Sequence, residues 1–280
     1  VIFFAEITLL LPQYLINSMK NLVVIITGAS SGIGRACSLE YAKQGAAVVL
    51  AARNFDNLNT VLNDIKSAGG KALAIKCDVT ELSDCENLID SAIREYGRID
   101  LLINNAGISQ RALSIETQME VERKIMNVNY FGAIVLTKLA LPHMIAQKSG
   151  HIAIISSVVG KYGFPMRSGY SASKHALHGY FEALRAEIHK FNIKVTMVCP
   201  GRIKTNISIN ALTKDGSKNI HMEESHEKGM PVKECAKKIL SGIKRGKKEV
   251  YIGGKEILLI YIKKFFPALF YYIIQKWEKL

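Results

Sequence analysis

The stretch that decides the fold runs from Leu22 to Gly34 and reads LVVIITGASSGIG. Its first part is a continuous apolar run, which is typical of a strand buried on both faces, and its second part is a glycine-rich turn. A helical pattern follows over residues 35–44. This order of strand, turn and helix predicts a loop that approaches a phosphate, because the free amides at the start of the helix point towards it.

The same alternation continues outward from this stretch. Apolar runs that predict strands lie at 46–51, 72–75, 101–103, 151–155 and 194–198. Helical patterns lie at 58–67, 84–96, 121–140, 171–190 and 232–243. Strands that are apolar throughout and alternate with helices indicate a parallel sheet covered on both faces. We therefore predict an α/β fold: a single-domain Rossmann fold over 20–254, with a doubly wound parallel sheet. The polar segment 204–229 is long for a connection and is predicted to form a lid over the substrate.

Composition excludes several other classes of protein. Of the 280 residues, 49% are hydrophobic and 22% charged, a mixture typical of a globular domain rather than a disordered chain. The five cysteines are scattered without metal-ligand spacing, which predicts a reducing, cytoplasmic environment and no zinc site. The histidines, including His175, His178 and His189, have no carboxylate at a useful spacing, so no metal site is predicted.

The net charge of +13 is concentrated near the end of the chain. Residues 233–280 contain twelve basic and four acidic side chains, a net charge of +8. This distribution argues against a nucleic-acid-binding face on the domain itself.

The three glycines of the turn each have a predicted role. Gly28 permits the tight turn, Gly32 lets the backbone approach a pyrophosphate, and Gly34 allows the helix to pack closely. Their spacing is G-x-x-x-G-x-G rather than G-x-G-x-x-G.

Tyr170 and Lys174 are the strongest candidates for chemistry. They are four residues apart in a helical stretch, so their side chains lie on one face. A nearby ammonium is expected to lower the pKa of the phenol, which could then exchange a proton with an alkoxide. Ser157 ends an apolar strand and offers a hydroxyl to the substrate oxygen, although its neighbour Ser156 is an alternative.

With these motifs the sequence resembles the classical short-chain dehydrogenase/reductases from Lys20 to about Tyr251. The motifs occur in family order: Thr27 to Gly34, Asp78-Val79, Asn104-Asn105-Ala106-Gly107, Asn129, Ser157, Tyr170 to Lys174, and Pro200 to Thr205. The resemblance implies an oxidoreductase that transfers a hydride between a nicotinamide and a secondary alcohol or ketone. A non-catalytic dinucleotide sensor and an epimerase are the alternatives. The complete set of Ser157, Tyr170 and Lys174 argues against the sensor, which would not need these residues.

The resemblance also implies individual roles. Ser157, thirteen residues before Tyr170, matches the family pattern better than Ser156, and Asn129 matches the family's water-holding asparagine better than Asn127. The implied catalytic set is Asn129, Ser157, Tyr170 and Lys174. The implied cofactor-binding set is Thr27, Gly28, Ser30, Ser31, Gly32, Ile33, Gly34, Arg53, Asp78, Val79, Asn105, Ala106, Gly107, Tyr170, Lys174, Pro200, Gly201, Ile203 and Thr205. In this set Asp78 and Val79 would contact the adenine, and Ile203 and Thr205 the nicotinamide carboxamide.

The end of the second strand predicts the cofactor. A carboxylate there binds the ribose 2′-hydroxyl of NAD, whereas an arginine accepts the 2′-phosphate of NADP. By resemblance Ala52 occupies the carboxylate position and Arg53 the phosphate-binding one, which favours NADP(H) over NAD(H). Ser31 stands where many NADP-dependent relatives carry a second basic residue, and Arg53 as a merely solvated side chain remains the alternative.

The two ends of the chain lie outside the resemblance. Residues 1–11 are apolar like part of a signal peptide, but no basic residue occurs before Lys20, so the positively charged region of a signal peptide is missing. Either residues 1–19 form an N-terminal extension or the natural start is Met19. Residues 255–280 form an apolar and basic tail, broken by Lys263, Lys264 and Pro267, which argues against a membrane-spanning helix. We expect the tail to pack on its own domain or on a partner subunit of a homo-oligomer, or to make peripheral membrane contact.

Overall fold

A computed structural model describes residues 19–221 and 227–276 of the chain. Residues 1–18, and with them the predicted N-terminal extension, lie outside the described residues, as does part of the predicted lid.

The centre of the molecule is a seven-stranded parallel sheet. Its strands are β1 Val23–Thr27, β2 Ala47–Ala52, β3 Lys71–Lys76, β4 Leu101–Asn104, β5 Gly150–Ile155, β6 Ile193–Pro200 and β7 Glu249–Ile252. They lie in the order β3-β2-β1-β4-β5-β6-β7. The order reverses between β1 and β4, so the carboxyl ends of these two strands border the crevice in which this type of sheet binds its ligands.

Helices cover both faces of the sheet. They are α1 Gly32–Lys43, α2 Phe55–Ser67, α3 Leu82–Tyr96, α4 Met119–Met126, α5 Gly132–Gln147, α6 Ser168–Ile188, α7 Val232–Lys244, α8 Leu258–Phe265 and α9 Pro267–Lys276. One core lies between the sheet and α1, α2 and α7, and the other between the sheet and α3, α5 and α6. The predicted doubly wound α/β fold is confirmed.

Two parts of the fold were not predicted. The short strand β7 is followed by glycines and was given no strand prediction, although it pairs with β6 from Met197 to Pro200. Between α4 and α5 the chain forms a π-helical segment, Asn127–Phe131, which joins them into one continuous helix. This helix, Met119–Gln147, is long and apolar enough to span a bilayer, but half of its most apolar stretch is buried inside the domain.

The segment after β6 is fixed to the loop that follows β4. Leu212 N donates to Ser109 O at 2.8 Å, and Arg111 N donates to Leu212 O at 2.8 Å. Leu212 also packs with Val121 and Ile125 of α4. The predicted lid is therefore anchored at its middle, while residues 222–226 lie outside the described part of the chain.

The tail packs on its own domain. Leu259 of α8 and Phe270 of α9 are buried against Val158 and Tyr162, which follow β5. Phe270 and Tyr162 form an edge-to-face pair with ring centroids 5.6 Å apart. This is the arrangement that the docking interpretation predicts, and Pro267 ends one helix and begins the next, as proline does at a first helical position.

Gly34 should be the glycine least tolerant of substitution. A Cβ atom there would lie 2.3 Å from the carbonyl oxygen of Gly28, which is backbone and cannot move aside. We expect Gly34→Ala to lower the free energy of unfolding by roughly 1–3 kcal/mol, the usual cost of overpacking. Gly179 in α6 has nothing within 4 Å of the same position, so Gly179→Ala should leave stability unchanged or raise it by up to about 1 kcal/mol. Thermal unfolding of both variants checks this, and a Gly34→Ala protein as stable as the parent would contradict it.

Candidate active site

The glycine-rich turn lies at the carboxyl end of β1. Gly28 and Gly32 have positive φ angles of 64° and 53°, a region that favours glycine. Ser31 precedes α1 and its side chain makes no capping hydrogen bond. The amides of the first turn of α1, which include those of Ile33 and Gly34, therefore keep their donors for an anion.

The turn is held by the segment after β4. The Thr27 hydroxyl accepts hydrogen bonds from the amides of Asn105 and Ala106, each at 2.9 Å. The Asn105 side-chain amide donates to Thr27 O at 2.8 Å. Thr27 and Asn105 thus bind each other, which places them as supports of the turn. A Cβ atom on Gly28 would lie 2.9 Å from the Asn105 amide nitrogen, so the two segments are in close contact.

A cavity of about 350 Å³ opens beyond the carboxyl ends of β2 and β3. It is lined by Arg53, Asp78, Thr80, Glu120, Arg123, Lys124, Asn127 and Val128. Arg53 is 60% exposed and its guanidinium lies 3.8 Å from the Asp78 carboxylate. The cavity thus brings together Arg53 and Asp78, both members of the predicted cofactor-binding set, and adds two cations, Arg123 and Lys124, that sequence reasoning did not consider. Val79 is buried beside it, against Gly132.

The candidate catalytic residues meet at the carboxyl end of β5. Ser157 follows this strand, its hydroxyl donates to Pro200 O at 3.3 Å, and it acts on the nearby Tyr170 phenol by opposing the rise of its pKa. Ser156 points the other way, towards Lys174 O and His178 Nε2. This geometry favours Ser157 over Ser156, because the Ser156 hydroxyl is already engaged with Lys174 O and His178.

Lys174 lies beneath the Tyr170 ring, with its ammonium nitrogen 5.6 Å from the ring centroid. Its ammonium donates to Ile155 O at 2.8 Å. Burial lowers the pKa of Lys174 to about 8. Burial also raises the pKa of Tyr170, while the Arg167 guanidinium and the Ser157 hydroxyl act in the opposite direction. The predicted lowering by Lys174 is not the dominant effect here, because the ammonium is bound to the Ile155 carbonyl instead of the phenol oxygen.

Asn129 is placed by the π-helical segment. Its side chain accepts from Ile108 N at 2.8 Å and donates to Ile108 O and to the Ser173 hydroxyl, each at 3.0 Å. π-Helical insertions are frequent at functional sites, because they turn a side chain away from the regular helix. A Cβ atom on Gly107 would lie 3.2 Å from Asn129 Oδ1 and 3.5 Å from Lys174 Nζ, so Asn129 borders the lysine.

The last predicted contacts follow β6. Thr205 lies over the turn, with its methyl group 3.4 Å from where a Cβ atom of Gly32 would be. Ile203 is 3% exposed and packs in the core that includes α1 and α7. Gly201 touches the Glu256 carboxylate, which accepts from Arg202 N at 2.8 Å. The tail thus reaches the predicted nicotinamide end of the site.

Gln110 is a positioning residue that the sequence did not reveal. It is fully buried, and its side-chain oxygen accepts from Gly169 N at 2.8 Å and Tyr170 N at 3.3 Å, at the start of α6. Its amide group donates to Thr117, Glu122 and Ser168. A glutamine in a loop carries no motif, so only the fold shows that it orients the helix bearing Tyr170.

The prediction that His178 lacks a carboxylate partner is wrong. Its Nδ1 lies 3.8 Å from Glu182, one turn later, and 3.5 Å from Glu249 on the unpredicted strand β7. These three side chains could together offer ligands to a metal ion. Lys161, however, donates to Glu249 and lies 4.0 Å from Glu182. Burial lowers the pKa of His178 to about 4, so we assign the two carboxylates to an ion-pair network with the Lys161 ammonium, beside a neutral His178.

The comparisons with known proteins agree with this geometry. The family described as short chain dehydrogenase matches residues 22–216. Dehydrogenase/reductase SDR family member 7B of Xenopus tropicalis is 40% identical over 261 residues, covering 90% of this chain and 84% of its own. The SDR family protein 7-like of Drosophila melanogaster is 38% identical over 265 residues, covering 93% and 81%. The chain belongs to the short-chain dehydrogenase/reductase family, a family of oxidoreductases.

A solved structure supports the same fold. The crystal structure of a short chain dehydrogenase/reductase SDR from Burkholderia phymatum in complex with NAD superposes with a TM-score of 0.80. It is 23% identical in sequence and covers 90% of this chain and 95% of its own.

Gln110→Leu should show whether Gln110 acts by positioning Tyr170 or by binding the dinucleotide. The substitution leaves the amides of Gly169 and Tyr170 without their acceptor, which should cost about 1–3 kcal/mol for each buried donor left unsatisfied. We expect kcat to fall while KM for the dinucleotide changes little, because Gln110 does not line the cavity beside Arg53.

Gln147→Leu is the matched control. The Gln147 side chain bridges the N and O atoms of Ile99, far along the chain from α6, so this variant should lose stability without losing kcat. Equal kcat in the two variants would show that Gln110 does not position Tyr170.

Proposed function

We propose that this chain is an NADP(H)-dependent oxidoreductase that interconverts a secondary alcohol and the corresponding ketone, with Tyr170 as the acid and base. The observation that carries the proposal is the grouping of Ser157, Tyr170 and Lys174 at the end of β5, with the Ser157 hydroxyl opposing the rise in the pKa of the phenol and the ammonium beneath the phenol ring. A dinucleotide-binding turn stands at the neighbouring strand ends.

The residues present fit a nicotinamide dinucleotide. The uncapped first turn of α1 suits the pyrophosphate, and the close contact of Gly28 with Asn105 keeps the turn open for it. Thr205, Lys174 and Tyr170 would hold the nicotinamide end. When bound, the cofactor supplies or accepts the hydride.

The protein's own residues would handle the proton. Ser157 would hydrogen-bond the substrate oxygen and keep it near the Tyr170 phenol. In reduction Tyr170 would donate its proton to the developing alkoxide, and in oxidation the phenolate would take the proton back. The Lys174 ammonium, with its pKa of about 8, is mostly protonated at neutral pH and would stabilise the phenolate electrostatically.

The surroundings of Tyr170 favour an apolar substrate. Tyr170 packs in one cluster with Val158, Val159 and Tyr162, and with Leu259 of the tail. These side chains are buried, so they make the interior behind the phenol apolar, which favours a hydrophobic alcohol or ketone over a charged one.

The cavity lined by Arg53 and Asp78 supports NADP(H) as the preferred cofactor, with NAD(H) as the alternative. Arg53 presents an exposed guanidinium, and the preceding residue, Ala52, offers no carboxylate to the ribose hydroxyls. Arg123 and Lys124 add positive charge at the same cavity. They would supply the second basic group that the glycine-rich turn lacks, since the turn carries Ser31 at that position.

The activity is tested by following NADPH oxidation with a panel of ketones, aldehydes, steroids and 3-oxoacyl thioesters. We expect Tyr170→Phe to lower kcat by about 100-fold or more, the usual contribution of a general acid. Cofactor binding should stay nearly intact, and Tyr180→Phe on the same helix should turn over normally. Tight dinucleotide binding with no turnover of any compound would favour the non-catalytic sensor instead.

Arg53→Ala tests the cofactor preference. Only NADPH has a 2′-phosphate to lose, and a charge-assisted contact to it should contribute roughly 1.5–3 kcal/mol. KM for NADPH should therefore rise by at least about tenfold more than KM for NADH, whereas Arg94→Ala, an exposed arginine on α3, should change neither. Equal effects of Arg53→Ala on both cofactors would show that Arg53 is only a solvated side chain.

A further inference from the structure

Helices α8 and α9 expose a continuous set of large apolar side chains. Phe265 and Phe266, at the bend between the helices, are 62% and 64% exposed. On α8 the exposed positions are three and four residues apart, so they form one face of the helix. We call this surface the tail patch, and it consists of Leu258, Tyr261, Phe265, Phe266, Leu269 and Tyr272.

The tail patch is held facing outward by contacts on the opposite side of the same helices. Leu259 and Phe270 are buried against the residues after β5. Lys263 donates through its ammonium to Lys161 O at 2.9 Å, and Glu256 accepts from Arg202 N. Because the opposite face of the two helices already packs on the domain, the helices cannot rotate to bury the tail patch against it.

Among residues 255–276, which the structure describes, the exposed charged side chains are all basic. Lys255, Lys264 and Lys276 are exposed, and two of these cations lie over patch rings, Lys264 at 5.3 Å from Phe265 and Lys276 at 4.2 Å from Tyr272. Glu256, the acidic residue between Lys255 and Lys276, is turned into the domain against Arg202. The surface is therefore aromatic and cationic at once.

We infer that the tail patch binds the surface of an anionic phospholipid bilayer. Aromatic and aliphatic side chains between lysines are the chemistry that enters the headgroup region, where lysines meet lipid phosphates and carboxylates. Neither helix can cross the bilayer, since α9 has only 10 residues and a rise of about 1.5 Å per residue gives it half of the hydrocarbon thickness. The two helices would lie in the plane of the interface.

The charge pattern also decides between a bilayer and a second copy of the chain. A two-fold symmetric dimer through the tail patch would bring the lysines of both copies into one interface, and residues 258–276 supply no acidic side chain to pair with them. An anionic lipid surface supplies the opposite charge to all of them.

The test is flotation of the full chain with vesicles in a density gradient. The protein should float with vesicles of roughly one-third phosphatidylserine, and much less with phosphatidylcholine alone or at high salt. The doubly substituted Phe265→Ser/Phe266→Ser protein should bind at least about tenfold more weakly, because it loses its most exposed rings. Lys264→Glu should weaken binding by about fivefold or more.

Two control variants are matched by exposure. Leu82→Ser removes an apolar side chain that is 57% exposed on α3, and Lys66→Glu reverses an exposed charge on α2. Both should float like the parent. Residues 1–18 are the same in every variant, so differences between variants report on the tail patch alone. Flotation needs no turnover, so the result is independent of the proposed activity.

Two outcomes would overturn the inference. One is flotation of Phe265→Ser/Phe266→Ser and of Lys264→Glu equal to that of the parent. The other is a parent protein that does not bind anionic vesicles but changes from dimer to monomer in analytical ultracentrifugation when Phe265 and Phe266 are substituted, which would assign the tail patch to a second copy.

Discussion

The site depends on one hydroxyl group, that of Thr27. It lies at the end of β1, is 1% exposed, and accepts from two successive amides after β4, those of Asn105 and Ala106. β1 and β4 are neighbours in the sheet although they are far apart in the chain, and the order of strands reverses between them. The crevice between two such strand ends would otherwise leave buried amides without acceptors, which is costly in a protein interior. The Thr27 hydroxyl accepts from both amides and so fixes the glycine-rich turn against the segment that borders Lys174.

The remaining groups are positioned outward from this connection. The segment after β4 continues to Ile108, which binds Asn129, and to Gln110, which binds the first amides of α6. Helix α6 carries Tyr170 and Lys174, and the tail packs beside Tyr170. A single run of chain, from Asn104 to Gln110, therefore connects the glycine-rich turn, the π-helical segment and α6. It explains why so polar a set of side chains is buried there with most of its hydrogen bonds satisfied.

Sequence reasoning recovered what is local and periodic. The strand β1, the turn and the four-residue spacing of Tyr170 and Lys174 are read directly from neighbouring residues, and the structure places them as predicted. It missed β7, because four residues before two glycines resemble a loop, and with β7 it missed Glu249 beside His178. It could not find Gln110, since the acceptor role exists only after two distant segments meet. It also misjudged the pKa of Tyr170, because burial of the phenol and the bond from Lys174 to Ile155 O depend on packing.

The account is tested most directly by the affinity for NADPH of two variants at the connecting hydroxyl. Thr27→Ser keeps an oxygen that can accept from Asn105 N and Ala106 N, whereas Thr27→Val keeps the shape and removes the acceptor. Leaving two partly buried amides without their acceptor should cost about 1 kcal/mol or more each and loosen the turn, so Thr27→Val should bind NADPH at least about tenfold more weakly in a calorimetric titration. Thr27→Ser should bind within about threefold of the parent. Parent-like affinity in Thr27→Val would contradict the claim that this hydroxyl assembles the site.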